Sequence, residues 1–243
     1  MPFRVLWING SDGRLRMTER CLFVGFVLFH YTLFVLLASI LASAACLSAY
    51  LVSRKRTMLF AFFGFLFYFF DVAWVFQDDF FTGADAGVGA AYALIMSLML
   101  VLTGGGCLTS VWLLVCDYLG ETRKALKVIP PVVFVVASVS VLAVMPENDV
   151  RSFAFYFPRA FYLFWMLAFA GAWYFRTKDA AERGRLRRHR WLYAALWFLG
   201  ISIVVEDALV FLLPDPILIG PRSYAPERNF DENELMLCCV FLA

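Results

Sequence analysis

Ionisable side chains stand inside long apolar stretches of this 243-residue sequence: His30, Asp71, Arg159, Glu206 and Asp207. A charge taken out of water into an apolar setting must find a partner, change protonation or serve a ligand. Arg159 offers a planar fork suited to bidentate pairing with one carboxylate. Asp71, Glu206 and Asp207 supply more acid than one arginine neutralises, so a carboxylate is left to protonate or to meet a cation. Asp71, Trp74 and Asp78 recur at i, i+3 and i+7, and Arg159 and Tyr162 at i and i+3, so each set shares a helix face. Rings beside carboxylates suit a cationic or amphipathic small molecule.

The elements that carry these residues follow from composition. The chain is 63% hydrophobic and 16% charged, against about 25% charged in soluble domains, which excludes a water-soluble enzyme. The expected fold is an all-α, polytopic transmembrane helix bundle. Apolar runs bounded by charge predict six complete spans at 21–52, 57–77, 88–116, 128–145, 152–175 and 191–213, with the start of a seventh at 235–243. Residues 1–20 form an N-terminal tail. Gly104, Gly105 and Gly106 fall near the middle of the third span and are the place for a bend. Pro130 and Pro131 suit the first turn of the fourth, where a missing N–H costs least.

Loop charge sets direction. Arg54, Lys55 and Arg56 follow the first span, and Arg123, Lys124 and Lys127 follow the third. A run of arginines across 176–190 follows the fifth, while the alternate loops are poor in base. By the positive-inside rule the chain is a multi-pass cell-membrane protein with its N-terminus outside and its C-terminus toward the cytoplasm. Arg4, Arg14, Arg16 and Arg20 oppose that vote and are outweighed by three later loops. Measured from the span ends, the five ionisable groups then lie about 9–13 Å deep on the outer side, a pocket among the first, second, fifth and sixth spans. The final apolar run rises about 14 Å as a helix, half a bilayer core, so the natural chain is expected to continue into the cytoplasm.

Seven helices, an outside N-terminus and a strongly basic loop at 183–190 give a layout that resembles the N-terminal sensor region of membrane-bound LuxR-type helix-turn-helix regulators. It is less closely similar to seven-helix histidine kinase input regions. The local carriers are Pro158, Arg159, Ala160, Phe161 and Tyr162, and Glu227, Arg228, Asn229 and Phe230 before the last helix. The resemblance implies a signal sensor acting on a cytoplasmic effector domain, a DNA-binding regulator or a kinase, outside these residues. Its other partners would be the lipid bilayer and a small-molecule ligand, and a homo-oligomer is compatible with it.

Plainer readings use the same residues. Arg159 could snorkel to an interface, Glu206 and Asp207 could cap a helix end, and an ion pair could simply lock two helices. The acids could instead couple a solute or a proton in a transporter, or the bundle could be a passive anchor. No cofactor is expected: retinal needs an intramembrane lysine, and Lys55, Lys124, Lys127 and Lys178 all fall in loops. No metal site is expected from cysteines that lack a Cys-x-x-Cys pair, and no phosphate loop or nucleophile motif argues for an enzyme. The arginine run suits anionic lipid better than nucleic acid. Ala38 and Ala42, Ser39 and Ser43, and Ala45 and Ala49 recur at a spacing that permits close helix contact.

Overall fold

The computed structural model describes residues 12–81, 90–145 and 149–191, and beyond them 193, 194, 197 and 201. Its helices are α1 (Asp12–Ser53), α2 (Arg56–Phe81), α3 (Ala90–Tyr118), α4 (Lys124–Val144), α5 (Asp149–Arg176) and α6 (Ala180–Arg188). The all-α expectation is met. The span count is corrected: among the described residues, four stretches are long and apolar enough to cross a membrane. They are Thr32–Ser53, Arg56–Trp74, Leu94–Tyr118 and Lys124–Val144.

Six complete spans and a seventh are therefore not what the described chain carries. The expected fifth span, 152–175, is a helix within α5, but the side chains of 152, 153, 155 and 156 lie outside the described residues, and it is not among the four. The sixth, at 191–213, lies mostly outside the described residues, and the seventh lies wholly outside them.

Burial is inverted relative to a water-soluble domain. Phe34, Leu41, Leu102 and Val136 are exposed, whereas Ser39, Ser43, Thr103, Ser110 and Ser138 are buried. That arrangement suits hydrocarbon, where small and polar residues let helices approach and apolar side chains face lipid. On α1, Ser39, Ala42, Ser43 and Cys46 are buried, while Ala45 and Ala49 of the predicted small-residue pattern are exposed. Ser43 Oγ donates to the Phe62 carbonyl across α1 and α2 at 3.3 Å, and Val35 and Leu36 pack with Val72. Pairing 43 with 62 and 35 with 72 makes the two helices antiparallel.

α3 is the hub, touching α2, α4 and α5. Its glycine run lies within one unbroken helix, and three neighbours occupy the space of the missing side chains. The Arg159 guanidinium lies over Gly104. A Cβ on Gly105 would sit 2.7 Å from Phe134 Cε1 of α4, and one on Gly106 would sit 2.7 Å from the Phe67 ring of α2. Below this level Trp112, Cys116, Phe134, Tyr162, Leu163, Met166 and Leu167 form the main apolar core of α3, α4 and α5.

The prolines of α4 are not in its first turn. The helix begins at Lys124, so Pro130 and Pro131 lie inside it. The reason is local compensation: Pro130 has no N–H for the Leu126 carbonyl, and the buried Trp112 indole donates to that oxygen at 3.2 Å instead.

Turns at the other helix ends are tight. α3 closes with Glu121 N–H on the Cys116 carbonyl at 2.8 Å and Gly120 N–H on Asp117 at 3.1 Å, with Gly120 at φ +73°. This is the Schellman arrangement, in which glycine takes the left-handed position. α1 ends similarly at Arg54, whose N–H donates to Tyr50 at 2.7 Å, but here a non-glycine residue holds φ +56°. The α5–α6 connection is a capped turn: Asp179 accepts from Ala181 N–H at 2.9 Å and starts α6.

Candidate functional site

The site begins with Asp71 on α2, buried at 7% exposure. Each carboxylate oxygen has a partner from a different helix. The Arg159 guanidinium of α5 pairs with Oδ2. Thr103 Oγ1 of α3 lies 2.8 Å from Oδ1 and 2.9 Å from the Met99 carbonyl, so one hydroxyl proton serves both acceptors. Residues far apart in sequence thus meet at one point, where α2, α3 and α5 share a polar centre.

Gly104 makes the meeting possible. A Cβ there would lie 3.0 Å from Arg159 Cζ and 3.2 Å from Nε, so only a bare backbone leaves room for the fork. Pro158 precedes Arg159 and leaves the Ala154 carbonyl without its usual helical donor, yet α5 continues through both. Both charges are largely withdrawn from solvent, with side-chain exposures of 24% for Arg159 and 10% for Asp71. In such surroundings the loss of either partner leaves an uncompensated charge.

Buried hydroxyls accompany the pair. Tyr162, one turn beyond Arg159, is 2% exposed and packs its ring against Phe134 at 5.8 Å, yet among the described residues its hydroxyl makes no hydrogen bond. Ser138, one turn from Phe134 on α4, is likewise buried and makes no side-chain hydrogen bond among the described residues. Unmet hydroxyls in a packed interior cost stability and leave donors and acceptors ready for a polar guest.

The remaining candidates are distributed differently. Trp74 is half-buried on α2, one turn from Asp71. His30 lies exposed on α1, its ring edge-on to Phe29 at 5.4 Å. Phe29 in turn meets Phe76 of α2 at 5.2 Å. Asp78 falls within α2, but its side chain lies outside the described residues, as do Glu206 and Asp207 entirely. Among the described residues, the structure brings Asp71 to Arg159; Glu206 and Asp207 lie outside them.

Sequence reasoning did not select Thr103 or the packing role of Gly104. For Gly104 the signal was present in the run Gly104 to Gly106, whose lack of side chains in an apolar helix marks close approach as readily as a bend. No three His, Cys, Asp or Glu residues are grouped to hold a metal ion among the described residues. Comparison with known proteins identifies no relative: no family model matches the sequence, and no curated protein or solved structure matches it.

Proposed function

We propose that this chain is an integral membrane signal sensor whose input element is the Asp71–Arg159 pair. The observation that supports the reading is an ion pair, withdrawn from solvent, that ties α2 to α5 across the glycine notch of α3. A small organic cation that reaches Asp71 competes with Arg159 for the same oxygen. Displaced, the guanidinium leaves Asp71 and α5 loses that polar tie to α2, so the two arrangements are separated by ligand contacts rather than by repacking of the whole core. α5 leads directly into α6, so a shift in α5 moves the basic segment. On this reading the effector is a cytoplasmic domain of the kind the LuxR-type resemblance implies, and the basic end of the bundle faces the cytoplasm.

The experiment is a titration of the full chain in lipid nanodiscs with a short alkylammonium ion, read by hydrogen–deuterium exchange over 160–190. Sensing predicts a saturable rise in exchange, lost in Asp71→Asn. Exchange that is indifferent to the cation yet raised in Asp71→Asn leaves the pair as a structural lock, and exchange indifferent to both removes even that role; either result rejects the proposal.

A second reading, proton-coupled solute transport, is favoured by one feature. The Thr103 hydroxyl can donate to ionised Asp71 or, with Asp71 protonated, accept from it and donate to Met99. The hydrogen bonds at Oδ1 are therefore met in either protonation state. Proton-dependent flux of the same cation into vesicles selects this reading over sensing.

A further inference from the structure

Arginines gather where the chain leaves α5, and the structure divides them by employment. Arg183 donates to the Thr177 carbonyl at 2.6 Å and so fastens the start of α6. Arg185 lies 4.7 Å over the Tyr118 ring and 3.6 Å from Glu182, whose carboxylate also accepts from the Trp173 indole at 3.3 Å. His189 meets the same Tyr118 ring edge-on at 5.4 Å. These contacts hold α6 against the ends of α3 and α5. Tyr118 is also the last residue of the span Leu94–Tyr118, so α6 is held at the level where that span ends.

Arg187, Arg188 and Arg190 remain exposed on α6 and just past it. Large rings flank them: Phe175 is 81% exposed and Trp191 is 72% exposed, with Arg190 Cζ stacked 5.3 Å from the Trp191 ring. Bare rings of this size are unfavourable in water and typical of the membrane boundary, where an apolar body and a polar edge are both accommodated. Arginine forks beside them match phosphate oxygens at the same depth.

We propose that α6 is a binding surface for anionic phospholipid headgroups, with Arg187, Arg188 and Arg190 holding the phosphate and Phe175 and Trp191 seated among the upper acyl chains. Nucleic acid would also meet the guanidinium groups, but it offers no apolar layer for the two rings, and α6 is held at a span end. The surface is independent of the Asp71–Arg159 pair.

The test uses the full chain reconstituted in phosphatidylcholine bilayers, with spin-labelled phosphatidylglycerol and spin-labelled phosphatidylcholine compared by electron spin resonance. The unaltered chain should restrict phosphatidylglycerol with a preference of about fivefold or more. The Arg187→Gln, Arg188→Gln, Arg190→Gln triple variant should bring that preference to about one with helix content retained. High salt on the unaltered chain should lower it without any substitution. Equal restriction of both lipids, a preference unchanged in the triple variant or by salt, or arginine-dependent capture of duplex DNA without lipid preference would each overturn the assignment.

Discussion

Gly104 of α3 and Arg159 of α5 occupy what would be one side chain's space: the guanidinium lies where a Cβ on Gly104 would stand. The pair with Asp71 depends on this vacancy, because the fork must pass the α3 backbone to reach α2.

Gly104→Ala should therefore weaken the ion pair without removing a charge. Overpacking a filled site costs about 1–3 kcal/mol, and the end of Arg159 has little freedom to yield while Asp71 holds it. Gly64 is the control, since its Cβ would meet Ser110 and Val111 at an ordinary 3.7 Å. Gly64→Ala should raise stability by roughly 0.5–1 kcal/mol through helix propensity alone. Thermal midpoints in one detergent compare the two, and equal effects would show that Gly104 is not special.

Trp112 and Pro130 should be energetically coupled through the Leu126 carbonyl. Trp112→Phe removes the indole donor and leaves a buried oxygen unmet, at a cost of about 2–4 kcal/mol with the lost volume included. In a Pro130→Ala background the helix can supply its own N–H, so the same Trp112→Phe change should cost about 1 kcal/mol less. Strict additivity in the unfolding midpoints would contradict the compensation.

Glu121 gives the α3–α4 turn an acid limit. Hydrogen bonds from the Arg123 guanidinium at 2.8 and 3.0 Å, and then from the Arg123 backbone N–H at 2.9 Å, hold its carboxyl down at about 2. A carboxyl lowered in the folded state stabilises the turn fully above its ordinary value of 4.5 and loses that contribution as pH falls toward about 2. Amide exchange at Arg123 should quicken over that window relative to the intrinsic rate, and Glu121→Gln should abolish the dependence.

Arg54 holds a left-handed backbone that favours glycine. Arg54→Gly should stabilise the chain by roughly 0.5–1 kcal/mol, since relief of side-chain strain exceeds glycine's greater unfolded freedom. A lowered thermal midpoint would show that the Arg54 side chain contributes more than its backbone costs.

The helical, lipid-facing character of the chain was legible in the sequence because long apolar runs report burial in hydrocarbon directly. Arg159 and Asp71 were legible as members of a polar cluster because charges in such runs are conspicuous. Thr103 was not, since a lone threonine in an apolar helix normally bonds its own backbone, as Thr103 also does to Met99. Pro130 misled because helix-start statistics cannot see a tryptophan from another helix answering the freed carbonyl.

The central claim is that Asp71 and Arg159 act on each other across α2 and α5. A double-mutant cycle with Asp71→Ala, Arg159→Ala and the combined variant, followed by unfolding in a single detergent, measures that interaction directly. The account predicts that either single change costs about 3 kcal/mol or more and that the combined change costs well under their sum, because the second removal relieves a stranded charge. Single losses that simply add would contradict it.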